Sequence, residues 1–238
     1  MKEQLVFQRY EFKYLLSRSQ QEAVLRAMEP YMTEDPYSHS SIRNIYLDTP
    51  HFQLIRRSLE KPVYKEKLRV RSYGWAGMED TVFVELKKKY RSVVYKRRLS
   101  LPQDLALSCL SGASPWPQSQ IGREIAYAME FYPAIAPQVF LSYERDSFQG
   151  KEDEALRITF DTDLRFRTTG LSLDTGTWGR EILPRDRVLM ELKVPGGLPL
   201  WLARTLSQNK IFQTSFSKYG TVYQMLQENK SQEVKRYA

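Results

Sequence analysis

The sequence predicts an α+β fold whose sheet is antiparallel and turns its charged faces inward, and three observations predict it. The first is the stretch 65–71, KEKLRVR, in which Lys65, Lys67, Arg69 and Arg71 fall at every second position. Residues two apart on a strand share a face, so one face is cationic while Leu68 and Val70 look to a core. The second is spacing. Strand-like runs at about 63–74, 80–89 and 92–101 leave no room for helices, and Gly74-Trp75-Ala76-Gly77 separates the first two. Such runs read as antiparallel hairpins. The third is a pair of look-alike strands, VFVELK at 82–87 and VLMELK at 188–193, each with Glu and Lys on one face. Their likeness hints at a weakly two-fold barrel. A closed sheet lined with like charges is self-repelling unless something anionic sits inside it.

The rest of the chain is consistent with this frame. Residues 4–16 alternate as a strand that places Glu11 and Lys13 inward. Ser19-Gln20-Gln21-Glu22 reads as a capping box opening a helix with Val24, Leu25 and Met28 on its stripe, stopped by Pro30. Tyr46-Leu47-Asp48 closes a second strand. Thr49-Pro50 fits an N-cap and first helical proline, with Phe52, Ile55 and Leu59 as the buried stripe. Helices are expected at 104–110, 121–131, 198–208 and 216–228, with a polar, frayed tail after them. Strands return at 139–146, 156–160 and 165–167, and 170–179 is an aperiodic Gly/Thr/Ser loop. No linker composition divides the chain, so residues 1–238 read as one domain with its core at about 5–228.

Composition bounds the partners. Net charge is +8 and hydrophobic content 42% over 238 residues, so a core is available and anionic ligands are favoured. One cysteine and two histidines leave no disulfide framework and no Cys/His zinc cluster. No apolar run approaches the ~20 residues that span a bilayer, and the start does not resemble a signal peptide. A cytoplasmic location is expected, with any membrane association made through a separate membrane protein.

Neither the Gly-rich phosphate loop nor a Gly-x-Gly-x-x-Gly is present, nor His-Glu-x-x-His or Gly-x-Ser-x-Gly. A nucleotide would therefore be held by side chains. Arg69, Arg71, Lys87, Lys96, Arg145, Arg157 and Lys193 all lie on alternating strands, and Arg forks and Lys point charges both suit phosphate oxygens. Glu191, with Glu11 or Glu85, could hold Mn²⁺ or Mg²⁺ through carboxylate oxygen.

The ordered set Arg9-x-Glu11-x-Lys13, KLRVRSYG (67–74), VFVELKKK (82–89), VYKRRL (94–99), LSYERDSF (141–148), LRITFDTDL (156–164), VLMELKV (188–194) and SFSKYG (215–220) resembles the VTC domain. This is the catalytic domain of polyphosphate polymerases within the triphosphate tunnel metalloenzymes. The resemblance covers about residues 5–228. It implies an antiparallel β-barrel enclosing a basic tunnel, with flanking helices. It also implies metal-dependent transfer of the ATP γ-phosphate to a growing polyphosphate or pyrophosphate primer. Carried over by motif, Lys13, Arg69, Arg71, Lys87, Lys96, Arg145, Arg157 and Lys218 bind phosphate and Glu191 binds metal; Lys67 and Lys193 share the same faces. Arg9 stands where many tunnel enzymes have glutamate, which points away from the cyclase and triphosphatase branch.

Blander readings apply elsewhere. Lys61, Lys88, Lys89, Arg91 and Arg97 read as surface charges, Cys109 as buried, and Asp161 and Asp163 as a turn between short strands. His39 and His51 have no partner pattern. Nucleic-acid binding is disfavoured because Glu85 and Glu191 share faces with the cations. Hydrolysis of short phosphate chains, or binding without catalysis, are the alternatives to polymerisation.

Overall fold

A computed structural model describes residues 10–91 and 93–237. In chain order the elements are β1 (Tyr10–Ser17), α1 (Arg18–Met28), β2 (Met32–Asp48), α2 (Gln53–Leu59), β3 (Tyr64–Tyr73), β4 (Thr81–Tyr90), β5 (Val93–Pro102), α3 (Gln103–Leu110), α4 (Gln120–Phe131), β6 (Ala136–Gly150), β7 (Arg157–Arg167), β8 (Arg180–Glu181), β9 (Arg187–Val194), α5 (Leu200–Gln208) and α6 (Lys218–Tyr237). Residues 4–9 of the first expected strand, Arg9 among them, lie outside the described residues, as does residue 92.

Hydrogen bonding orders the strands β1-β9-β7-β6-β2-β3-β4-β5, with β8 on β7. The fold is α+β, and the pairs β1–β9, β9–β7, β7–β8, β2–β3, β3–β4 and β4–β5 are antiparallel, as the hairpin spacing requires of the last two. Among the described residues the sheet is not closed into the expected barrel: β1 and β5 end the strand order. Charge alternation reports which face a residue occupies, not whether the end strands meet. Both ends are instead managed as edges. On β1, Thr214 donates its N–H to the Lys13 carbonyl at 2.8 Å and Tyr14 bridges Gln213. On β5, the run Lys96-Arg97-Arg98 puts three charges on an edge strand.

Several elements differ from the sequence reading for local reasons. The capping box is Ser17 with Gln20, not Ser19 with Glu22. Gln20 donates its N–H to Ser17 Oγ at 3.2 Å, and its side chain accepts from Ser17 N–H at 2.9 Å. The helix opens where β1 ends, so the earlier serine is the one at the junction. The helix after Pro50 starts late, at Gln53, because Phe52 takes a left-handed φ of 56°. Thr49 Oγ1 still accepts the Gln53 N–H at 3.0 Å. The larger contribution comes from Asp48, whose carboxylate accepts from Leu54 and Ile55 N–H at 2.8 and 3.0 Å. Asp161 and Asp163 do not mark a turn. β7 runs through both, and Asp163 adopts a φ of 48° within it. The tail expected to fray continues α6 to Tyr237.

The chain forms two compact units, each drawn from three stretches. The first comprises residues 1–41, 143–164 and 183–216; the second comprises 42–142, 165–182 and 217–238. The long strands β2, β6 and β7 each contribute one part to either unit. Each unit has its own apolar core. That of the first gathers Leu16, Val24, Ile158, Phe160, Met190 and Leu202. That of the second gathers Leu68, Val70, Val84, Leu86, Ile125 and Phe140. Each unit also carries one of the two Glu-Leu-Lys strands, β9 and β4 respectively.

The aperiodic loop before β8 is ordered by arginine. Arg167 is 4% exposed, stacks against Phe140 at 3.5 Å and Trp178 at 4.6 Å, and donates to the carbonyls of Gly170, Ser172, Gly176 and Trp178.

Candidate functional site

In the second unit, β3, β4 and β5 register their charged positions in rows. Lys67 lies opposite Lys87, and Lys87 opposite Lys96. Arg69 lies opposite Glu85, and Glu85 opposite Arg98. Arg71 follows, opposite Phe83. The other face of the same strands carries Leu68, Val70, Val82, Val84 and Leu86, all buried, which forces every one of these cations to one side. Three lysines directly opposite one another are unfavourable in a sheet. Crowding is felt nearby: burial, then Lys89, Lys61 and Lys87, hold the Lys65 ammonium below its usual range.

Glu85 anchors the arginine row. It is 2% exposed. Arg69 donates through Nε and Nη2 to Glu85 Oε2 at 2.8 and 2.6 Å. Arg98 donates through Nε to Oε1 at 2.7 Å, with its Nη2 2.6 Å away. Lys96 Nζ lies 2.7 Å from Oε1 and Arg71 Nε 4.0 Å from Oε2. Burial would raise the Glu85 carboxyl, but Arg69, Arg71 and Lys96 outweigh it and hold the group far below the usual range. Arg71, 7% exposed, is aimed by Asn44, whose Oδ1 accepts from its Nε at 2.9 Å.

Tyr46 and α6 complete this face. Tyr46 accepts from Arg69 Nη1 at 3.1 Å and stacks on Tyr219 at 4.4 Å. Burial pushes the Tyr46 phenol up, but Arg69, Arg71 and Lys218 outweigh it and bring it below its ordinary value. The Lys218 charge is therefore felt at Tyr46, from a side chain only 8% exposed. Lys67 Nζ donates to Ser217 Oγ at 3.0 Å.

In the first unit, β1, β9 and β7 register Glu11 with Lys193 and Lys193 with Arg157, then Lys13 with Glu191 and Glu191 with Thr159. Lys13 Nζ lies 3.1 Å from Glu191 and 3.5 Å from Glu11. Arg145 on β6 donates to both oxygens of buried Asp161, at 2.6 and 2.7 Å, and to Glu191 Oε2 at 2.9 Å. Burial works against the Arg145 charge, yet Tyr143, Asp161 and Glu191 keep it firmly protonated. Arg157 reaches toward Asp35 at 3.6 Å and is half exposed.

The candidate residues thus fall into two sets. Lys67, Arg69, Arg71, Lys87, Lys96 and Lys218 belong to the second unit; Lys13, Arg145, Arg157, Glu191 and Lys193 belong to the first. Sequence reasoning missed Arg98 as a site residue, although its parity with Lys96 placed it on the same face. It missed Asp161, read as a turn residue, and Tyr46, read only as part of a closing strand. Lys88 and Arg97, read as surface charges, share a partner, pairing with Glu124 at 3.2 and 3.1 Å. His39 has partners after all: Asp146 at 2.8 Å and Glu144 at 3.5 Å.

Among the described residues, no group of three metal-ligating side chains comes together. Glu11 and Glu191 nevertheless converge on one ammonium, that of Lys13. Two hard carboxylates in one place fit a divalent cation that takes its other ligands from phosphate and water. Glu85 fits less well: four cations crowd its two oxygens, against two at Glu191, Lys13 on Oε1 and Arg145 on Oε2, which a metal would have to displace.

A family model described as the VTC domain matches residues 8–227. A search of curated proteins finds no match. Among solved structures, a protein from Bacillus halodurans provisionally named an adenylate cyclase superposes with a TM-score of 0.54 at 16% identity, covering 87% of this chain and 92% of its own. One from Vibrio parahaemolyticus, with the same provisional name, gives 0.50 at 14% identity, covering 91% and 98%. At these identities the likeness is one of fold.

Proposed function

Since the chain belongs to the VTC domain family, we propose that it is a metal-dependent phosphotransferase that extends polyphosphate with the γ-phosphate of ATP. The observation that carries the reading is the row Lys67–Lys87–Lys96 beside the Arg69–Glu85–Arg98 row. Successive rows are about 7 Å apart along a strand, so a phosphate chain laid over them meets cations throughout its length. A sheet tolerates such a face when an anion repays the repulsion.

The residues have separable roles. Arg69 and Arg98 present guanidinium forks to phosphate oxygens, and Lys67, Lys87 and Lys96 add point charges. Lys218, with Tyr46 beside it, adds a further cation to this face. Together they neutralise charge on the transferring group, the main contribution a protein makes to phosphoryl transfer. An oxygen of the acceptor's terminal phosphate attacks the γ-phosphorus. The bond to the β,γ-bridging oxygen breaks and ADP leaves with its electron pair, so no protein nucleophile is needed. Glu191 and Glu11 would hold Mn²⁺ or Mg²⁺, which supplies charge neutralisation at phosphate oxygens when bound.

The test is incubation of purified protein with ATP, Mn²⁺ and pyrophosphate, followed by gel analysis for polyphosphate and assay of free phosphate. Long chains that vanish in Lys87→Ala support polymerisation. Free phosphate without chain growth would make the protein a hydrolase. Neither product, with duplex DNA bound as tightly as triphosphate, would remove the reading.

A further inference from the structure

Glu85 is an acid placed at the centre of the basic face, and its geometry is specific. β3 and β5 flank β4, and each supplies one arginine to it. Arg69 engages Oε2 with Nε and Nη2, and Arg98 engages Oε1 with the same pair of nitrogens. Each guanidinium is gripped along one edge. Arg98 is further fixed by stacking over Phe83 at 4.5 Å and by donating to Tyr73 Oη at 3.1 Å. Arg69 is fixed by donating to Tyr46. Four cations approach this carboxylate and one negative charge answers them, which leaves three positive charges of the four.

We propose that Glu85 is a positioning residue of this face, acting through Arg69 and Arg98, and that its charge limits how tightly the face grips a phosphate chain. The proposal rests on the reading of the face as a phosphate site. Two consequences follow from the same carboxylate. It aligns both guanidinium groups before substrate arrives, so that no reorganisation accompanies transfer. It also repels phosphate oxygens placed beside it, weakening ground-state binding and easing release of the lengthened product. A metal-binding role is disfavoured because a cation would have to enter among four positive charges, those of Arg69, Arg71, Lys96 and Arg98.

Glu85→Gln keeps the acceptor oxygen and the shape but loses the charge; Glu85→Asp keeps the charge and shortens the reach. Metal-free tripolyphosphate binding is measured by titration calorimetry, with kcat and KM for ATP on the full chain. Glu85→Gln should bind tripolyphosphate about fivefold or more tighter while kcat falls about tenfold or more. Glu85→Asp should bind within about twofold of wild type, with kcat between the two. A purely structural role gives a lower melting temperature, with weaker or unchanged binding in both variants, and overturns the proposal. If Glu85→Gln does not fold, Glu85→Asp decides: wild-type kcat from a folded protein overturns the positioning role. Wild-type protein that fails to bind tripolyphosphate sinks the phosphate reading and this proposal together. Wild-type binding without tightening in Glu85→Gln sinks this proposal alone.

Discussion

Arg145 shows how strongly a buried cation here depends on its acids. Asp161 is fully buried and Glu191 nearly so, and Arg145 answers both. Arg145→Ala would remove the guanidinium that two buried carboxylates share, while Lys13 stays beside Glu191. The expected cost is about 3–5 kcal/mol in urea unfolding, and Arg145→Lys should recover part of it. A loss under 1 kcal/mol would show that water enters the cluster freely. Glu85 carries a second prediction, in pH. Its folded carboxyl lies below the ordinary value, so the stability it contributes is present above the unfolded pKa of about 4.3 and is lost as pH falls toward the folded one. In that window wild type should lose about 1.4 kcal/mol per pH unit relative to Glu85→Gln. Urea titrations at pH 5, 4 and 3 check this; a stability gap that does not narrow contradicts it. At this scale the face of each residue was legible, because strand parity is local. Its partner was not: the Arg145–Asp161 bond joins residues 16 apart on separate strands, and no periodicity encodes it.

Among the elements, α2 and α6 are tied by one carboxylate. Asp48, fully buried at the end of β2, accepts from three backbone N–H groups, those of Thr49, Leu54 and Ile55, and from Tyr219 Oη at 3.0 Å. Burial pushes its carboxyl up, and these four donors pull it back. Asp48→Ala removes the cap of α2 and the anchor of α6 together, at a cost of about 2 kcal/mol or more. Because Tyr219 stacks on Tyr46, and Tyr46 accepts from Arg69, the same variant should also weaken tripolyphosphate binding. Asp48→Asn, which keeps one acceptor oxygen, should lose less of both. Calorimetry and melting curves for the two variants test this, and full affinity in a destabilised Asp48→Ala would separate the anchor from the face. Thr49-Pro50 signalled a helix close by, but placed its first residue at Pro50 where the helix begins at Gln53. The sequence could not show that Phe52 would turn left-handed and hand the capping role to Asp48, since that depends on where β2 delivers the chain. Ser17 teaches the same lesson: the capping box formed at the serine that ended the strand.

The molecule as a whole carries +8 net charge, and the look-alike Glu-Leu-Lys strands are divided between its two units. Their surroundings differ. In the first unit Glu191 sits between Lys13 and Arg145, with Asp161 and Glu11 alongside, so acids and bases are nearly matched. In the second, Glu85 stands against four cations. The repetition was legible in sequence; the asymmetry arises from which neighbours the strand order supplies. An empty face with surplus positive charge is self-repelling, so an anion that fits it should stabilise the fold by mass action. Tripolyphosphate at 100 times its dissociation constant should add about 2.7 kcal/mol. The gain should shrink as salt rises, because exposed charges such as Lys87 are screened within about 10 Å at 0.1 M. Hydrogen exchange should slow over Tyr64–Tyr73, Thr81–Tyr90 and Val93–Pro102, the strands that present the rows. Lys87→Ala should reduce both effects without lowering the melting temperature of the empty protein, since it removes one of three facing lysines. Equal stabilisation by duplex DNA, or protection spread evenly over the chain, would show a diffuse basic surface in place of an ordered phosphate site.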